Sequence, residues 1–572
     1  MIMNINDSIL TASPRQAVQV RFKTGQVYEG PVGTPLEAFV RAAKFDGPAP
    51  VVAALVDGRL CELTFPVSRD VDVELVSMEN SDGMRIYQRS LTLLLTVASR
   101  AVFPEAGLMV DHAVPLGGFY CQVSGRPPFT PGELSQIDLR MRAIVRADEP
   151  IARETVPVAK AIEIFEQLGY DDKVRLLRFR KKGVVPIYSL LGHYDSFYGY
   201  MVPSTSYLQY FSLSQQGQGF ILYFPTRFRA TDMPQIRHFP RLISAFLEYR
   251  DWLHLLGVED VASLNETIET GRIREVVLVC EALHEDRIAR IAHRIADLKG
   301  KVRLVLIAGP SSAGKTTFTR RLAIQLLAHG IHCLYLGLDD YFVDRQMTPL
   351  NENGEYDFEA LEAVDLRFFN QQLVDLMAGK SVVLPRYNFV SGRREAGPSI
   401  QIGPQHVILL EGIHGLNPGL LPSVPSDNVH RIYVSPLTQL NLDHHNRIAT
   451  SDTRLLRRIA RDAAQRGYTP TSTISRWESV RRGEVKNIFP YQENADSMFN
   501  SALAYELAVL KPVVEPLLRQ VEPGSLEYVE ARRLLSFLNW IEPCTCELVP
   551  DNSILREFIG DSILQDYVPT IR

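Results

Sequence analysis

The chain has 572 residues, 46% of them hydrophobic and 22% charged. These are ordinary globular proportions that exclude a disordered, collagen-like or fibrous chain; at ~150 residues per domain they suggest about four domains, or three with one large. Sixty-one Lys and Arg against 66 Asp and Glu leave a formal charge of -5, so any anion site is local rather than a global basic field.

Met1 to Pro14 lacks the basic start of a secretory leader. Residues 17 to 77 then alternate as a small sheet does, with Val18, Val20 and Phe22 before one turn and Val51 to Val56 before Asp57-Gly58. Helical spacing runs from Tyr87 to Phe103 and from Pro131 to Val145, and a strand-rich stretch lies between Val185 and Pro225. Pro225 to Pro240 is basic and turn-rich, a candidate linker. Phe246 to Leu298 reads as helical, with Ile288, Ile291 and Ile295 on one face and Arg287, Arg290 and Arg294 on a solvated one. The expected divisions are 1–80, 81–230, a helical linker 231–299, 300–512, and a helical extension 513–572. No apolar stretch approaches the ~18 to 20 residues of a bilayer span. Six cysteines in so long a chain do not make a disulfide framework, and Cys544 and Cys546 lack a second pair for zinc. A cytoplasmic protein is expected, with no membrane partner.

From residue 301 the pattern becomes that of an α/β domain: apolar strand 301–308, a glycine-rich turn, a helix from Thr317 to Leu327, and further strands at 333–338, 407–410 and 430–434. The fold expected there is a mainly parallel sheet with helices on both faces. Gly309-Pro-Ser311-Ser312-Ala313-Gly314-Lys315-Thr316 fits G-x-x-x-x-G-K-[ST] between strand and helix, the context that a phosphate-binding loop requires. Its backbone N–H groups, together with that of Thr317, would hold the phosphates of ATP. Lys315 would reach the β and γ phosphates, and the Thr316 hydroxyl would take Mg²⁺. Asp339-Asp340 follows the second strand, where a carboxylate could take the proton of an attacking hydroxyl; the alternative is a capping or turn pair. Glu411 ends strand 407–410, as a metal-binding acid or simply a strand-terminating residue. Between Arg447 and Lys486 ten basic residues face four acids. A mobile Arg-rich lid, otherwise mostly solvated, would bring Arg458 and Arg461 to the phosphates.

Gly309 to Thr316, Asp339-Asp340-Tyr341-Phe342, Pro385-Arg-Tyr387-Asn-Phe389, Glu411-Gly-Ile413 and Arg457-Arg-Ile-Ala-Arg461-Asp462 together resemble the uridine kinase and phosphoribulokinase family over about 300–512. The resemblance implies ATP-dependent phosphorylation of a hydroxyl, most directly of a nucleoside such as uridine or cytidine, with a sugar or polyol as the alternative acceptor. It gives Asp339 the role of general base, Lys315 and Thr316 those of phosphate and Mg²⁺ ligands, and Glu411 that of the second metal-binding acid. Arg458, Arg461 and Arg466 become lid residues, and Asp340, Tyr341, Glu359, Tyr387, Arg394 and Arg466 surround the acceptor. Two departures stand out. The histidine that touches the pyrimidine in this family is replaced by Gly392, and the ribose-binding aspartate by Glu359.

Asp57-Gly58-Arg-Leu60 within 17–77 resembles a TGS β-grasp module. Gly118-Phe119-Tyr120 and the run Thr130 to Ala152 resemble the second additional domain of threonyl-tRNA synthetase over 83 to about 225. The four editing residues of that domain correspond to Arg89, Leu93, Phe197 and Met201, which supply no general base. With the tail Ser553 to Ser562, the whole chain resembles bacterial uridine kinase-related proteins carrying a front TGS module. A nucleotide-switched RNA-binding protein is the competing reading; tRNA contact and homo-oligomerisation are kept as alternatives.

Overall fold

The structure, a computed structural model, describes residues 15–298, 300–351, 354–422, 424–438 and 440–569; the expectation for Met1 to Pro14 falls outside them. The first sheet has the order Val27–Pro31, Ala17–Phe22, Val71–Ser77, Val51–Val56, Arg59–Glu62, with the helix Leu36–Ala42 packed on it. Val18, Val20 and Phe22 are buried while Gln19 and Arg21 face water, as the period of two dictates. Asp57 and Gly58 both take positive φ (47° and 76°), the conformation that lets a two-residue turn match the strand twist.

The helix Ser81–Val102 starts at Asn80, whose side chain accepts from the Asp82 amide. The helix Pro131–Ala147 starts on a reciprocal Thr130–Glu133 cap. They accompany two antiparallel sheets, one ordered Ser212–Gln216, Gly219–Tyr223, Gly118–Ser124, Gly107–Ala113, the other Ala152–Pro157, Val184–Leu190, His193–Asp195.

The sheet after residue 301 is ordered Cys333–Gly337, Val407–Glu411, Leu304–Ala308, Val429–Ser435, Ser497–Asn500, and every neighbouring pair is parallel. Leu304–Ala308 is buried along its whole length, which is why it reads as a continuous apolar run. On one face Phe318, Leu322 and Leu326 of the helix Lys315–Ala328 join Ile288, Ile291 and Ile295 of the helix Ile273–Asp297. That core continues into Phe165 and Leu177 of the front half and Trp540 and Phe558 of the tail. On the other face lie Tyr341, Phe369 and Leu373.

Three expectations need correction. Arg287 is not solvated: it is largely buried and pairs with Glu248 at 2.8 Å, while Arg290 is exposed. The helix Glu506–Leu518 is continuous across the expected 512/513 boundary. Most of the basic run is not solvated either, since only Arg466, Arg476, Arg482 and Lys486 of its ten cations are exposed. Arg454 pairs with Glu484, and Arg457 with Glu506 at 2.6 Å, all four buried.

A buried charge network ties the front half to the sheet domain. Lys173 lies between Asp195 (3.0 Å) and Asp443 (2.8 Å), and the His445 ring meets Asp195 at 2.6 Å. Asn446 donates to Asp443, and the His444 amide to Asp172. Burial works against the Lys173 charge, but the two carboxylates outweigh it and hold the ammonium well above the usual lysine range. Buried charges persist only when so paired and hydrogen-bonded.

Candidate active site

Gly309–Thr316 curls between Leu304–Ala308 and the helix Lys315–Ala328. A Cβ on Gly309 would lie 1.9 Å from the Val434 carbonyl oxygen, and Gly314 (φ 81°) would meet Ile554 at 2.4 Å, so neither tolerates a side chain. Ser312 is held at φ 57°, and its buried hydroxyl has no partner among the described residues. The Lys315 ammonium donates to the Pro310 carbonyl at 3.2 Å, folded back over its own loop. The loop is braced from behind: the Ser311 amide donates to Glu484 (3.2 Å), Arg454 donates to the Ser311 carbonyl (3.1 Å), and Arg458 donates to its hydroxyl (3.0 Å).

The Thr316 hydroxyl donates to Glu411 Oε1 at 3.0 Å, and the Tyr335 hydroxyl to its other oxygen at 2.9 Å. Burial pushes the Glu411 carboxyl up, against the pull of Lys315. A hydroxyl and a carboxylate held this close form a hard oxygen pair that suits Mg²⁺. No group of three or more His, Cys, Asp or Glu with metal-holding geometry occurs among the described residues. A cation here would therefore complete its shell with phosphate and water oxygens.

Asp339 and Asp340 sit on the turn Leu338–Tyr341 after Cys333–Gly337. In so tight a turn positions three apart share a side: Leu338 and Tyr341 are buried, whereas Asp339 is exposed. The Asp339 carboxylate has no hydrogen-bond partner among the described residues. The residue is exposed, yet the protein packed around its carboxylate costs it solvation and raises its carboxyl; Lys315 opposes that rise, Asp340 adds to it, and Arg466 opposes it. Asp340 is employed differently, accepting from the Tyr387 amide at 3.2 Å and so fixing the hairpin Val382–Asn388, Arg393–Ile400 beside the site.

Glu359 lies within electrostatic reach of Asp339 and Lys315. Its carboxyl is pushed up to about 7 by burial and by the negative charges of Glu484 and Asp339, with Arg458 and Lys315 pulling the other way. Asp339, Lys315, Arg458 and Glu359 are thus brought within electrostatic reach of one another. An ionised carboxylate accepts hydroxyl hydrogens at both oxygens and more strongly than a protonated one, which turns one oxygen into a donor, and below about pH 7 Glu359 takes up its proton. The acceptor KM is therefore expected to rise below that point, by up to about tenfold per pH unit, and Glu359→Gln is expected to show a raised KM that no longer varies there. Initial-rate kinetics across pH 5.5 to 8.5 (roughly the span that brackets this carboxyl) checks it.

Other candidates fall elsewhere. Tyr341 does not face the acceptor: its ring packs on Phe369 in the core and its hydroxyl donates to Gln372, because the turn directs it inward. Arg394 is not a free cation: it pairs with Asp365 at 3.0 Å and lies over Phe368. Tyr387 is buried edge-on against Phe342 and Phe389, its hydroxyl without a partner among the described residues. Arg466 is half-exposed and pairs with Asp462 at 3.3 Å. Arg461 lies between Asp462 and Glu557, its charge opposed by burial. Gly392 is more than a lost histidine: at φ 68° its Cβ would lie 2.9 Å from Arg345, leaving no room for a side chain.

Glu557, to which no role attached in the sequence, reaches the loop from the tail. Its Oε2 accepts from both the amide (3.3 Å) and hydroxyl (2.9 Å) of Thr317. The tail segment around it is recognisable in sequence, but nothing local to it signals a contact 240 residues away.

In the front half, Leu93, Phe197 and Met201 are buried in one core. Arg89 lies against Gly199, whose φ of 146° and missing side chain make the space, and donates to the Tyr200 carbonyl. A cavity of about 1440 Å³ between the halves is lined by Arg89, Phe197, Arg447, Trp477 and Arg533. Of Gly309–Thr317 only Pro310 borders it, and neither Asp339 nor Glu359 lines it.

Comparison with known proteins accounts for both halves. Residues 304–507 match the model of the Phosphoribulokinase / Uridine kinase family. The N-terminal region is similar to threonine--tRNA ligases. The match is 32% identical over 163 residues for Geobacter sp. (strain M21), covering 28% of this chain and 26% of that protein. For Paraburkholderia phymatum it is 32% over 202 residues, covering 34% and 31%. The chain thus spans about a quarter to a third of the length of these relatives. Among solved structures, a possible uridine kinase from Bacillus stearothermophilus aligns at 20% identity and TM-score 0.27, over 37% of this chain and 97% of that one. A D-glycerate 3-kinase from Cryptococcus neoformans aligns at 15% and TM-score 0.18, over 52% and 91%. No helix among the described residues is long and apolar enough to cross a membrane.

Proposed function

We propose that this chain, whose residues 304–507 form a P-loop kinase domain of the Phosphoribulokinase / Uridine kinase family, transfers the γ-phosphoryl group of ATP to a hydroxyl of a small polyhydroxylated molecule. The observation that carries the reading is the exposed Asp339 carboxylate, without a hydrogen-bond partner among the described residues and within electrostatic reach of Lys315. In the reaction, Asp339 accepts the proton of the acceptor hydroxyl as its oxygen bonds to the γ phosphorus and the bond to the ADP oxygen breaks. Lys315 leaves the Pro310 carbonyl for the phosphate oxygens, and Arg458, already at the loop, adds the second positive charge. Glu359 accepts hydrogen bonds from further hydroxyls and so orients the acceptor. Thr316 and Glu411 would hold Mg²⁺, which when bound neutralises phosphate charge.

The acceptor proposed first is a nucleoside, with its ribose hydroxyls on Glu359. A free sugar or polyol is the second reading, favoured by Gly392, where no side chain can reach a base. The test is ADP release against a panel of nucleosides, sugars and polyols, with mass spectrometry of the product. Stoichiometric ADP and a phosphorylated acceptor are expected for one compound class. ATP hydrolysis that no acceptor stimulates, or that tRNA alone stimulates, overturns the reading in favour of a nucleotide-driven switch.

A further inference from the structure

The contact between the tail and the phosphate loop supplies more than packing. Ser553 to Gly560 is fastened by Ile554, Leu555 and Phe558, all fully buried, and by the Ser553 hydroxyl on Glu281. Arg457 and Arg461 lie over the Phe558 ring, at 5.0 and 6.0 Å. From this platform Glu557 extends its carboxylate to the first turn of the helix Lys315–Ala328. One oxygen takes both donors of Thr317, and the other faces Arg461 at 3.5 Å. The helix has no side-chain cap of its own. Its first-turn N–H groups form the end that a phosphate-loop helix offers to nucleotide phosphate, and a carboxylate and a phosphate oxygen compete for such donors because both are anionic acceptors.

We propose that Glu557 is an internal occupant of the nucleotide site: its carboxylate stands where a phosphate of the nucleotide binds, and nucleotide must displace it from Thr317 and Arg461. The inference rests on the reading of Gly309–Thr317 as a nucleotide site and adds its regulation by the tail. The amide and hydroxyl of Thr317 are both taken by the one Glu557 oxygen, and Arg461, which also faces Asp462, would trade the Glu557 carboxylate for phosphate. With Glu557 in place the site is closed to the nucleotide, and with nucleotide in place the lid arginine exchanges a carboxylate for a phosphate. Gln465, which donates to the Glu557 carbonyl at 2.9 Å, holds the side chain in register for this exchange. The affinity of the empty site is then set by a residue 240 positions away from Thr317, and whatever shifts the tail shifts nucleotide binding.

The test is titration calorimetry of ADP with Mg²⁺ into the full chain. Glu557→Gln keeps the size of the side chain and removes its charge, and is expected to tighten ADP binding about tenfold, the scale of one charged group at a helix N-terminus. Gln465→Ala is expected to tighten it less, and serves as the second variant should the first lose its cooperative thermal transition. Unchanged or weaker ADP binding in the folded variants overturns the proposal and makes Glu557 a simple helix cap. Lys315→Ala separates this from failure of the underlying reading. If it weakens ADP binding while Glu557→Gln leaves binding unchanged, the occupant is disproved and the nucleotide site stands. If Lys315→Ala has no effect on ADP binding, both fall.

Discussion

Asp339→Asn is expected to fold, to bind nucleotide with little change, and to turn over ~10² to 10⁴-fold more slowly, the contribution of a positioned general base. The substitution keeps the side chain's shape but removes the basic oxygen. Asp339 has no hydrogen bond to lose, so its replacement leaves the surrounding packing as it was. The measurement is kcat at saturating ATP and acceptor, paired with ADP affinity. Near-normal turnover would show that the hydroxyl loses its proton elsewhere, and the base assignment would fall.

Lys315→Ala is expected to cost ~10² to 10³ in kcat, the loss that follows removal of a preorganised donor at developing charge, and to weaken nucleotide binding as well. It carries a second signature. Lys315 restrains the carboxyls of both Asp339 and Glu359, so its removal leaves two acids facing each other with less positive charge between them. Both then hold their protons to higher pH, and the acid limb of the pH–rate profile is expected to move toward alkaline values. A profile that stays in place while kcat falls would separate Lys315 from the two carboxylates.

The loop and the central strands are legible in sequence because their determinants are local: Gly309 and Gly314 sit at fixed spacing, Lys315 opens a helix, and 304–308 is apolar along its length. The fifth strand, Ser497–Asn500, is too short to show periodicity, and Arg393–Ile400 is largely exposed, with no apolar alternation to reveal it. The burial of the basic run escapes the sequence for a different reason. Arg454 and Arg457 find their carboxylates at Glu484 and Glu506, 30 and 49 residues on, so charge counted along the run suggests solvation where the fold supplies partners. Tyr341 matches a motif by position, yet which way its side chain turns is decided by Phe369, outside that motif, and Arg394 is taken up by Asp365. Glu359 is legible in the sequence as a carboxylate, but its raised carboxyl depends on Glu484 and Asp339, which only folding brings near.

The Lys173, Asp195, Asp443 and His445 cluster bears on what the synthetase-like half is for. A cut between the halves would leave Asp443 and His445 on one fragment and Lys173 and Asp195 on the other, each stripped of a hydrogen-bonding partner and newly wetted, beside raw apolar surface where Phe165 and Leu177 had met the sheet domain. Neither fragment is then a free-standing module. The front half thus buttresses the sheet domain, supplying both counter-charges and apolar cover to it.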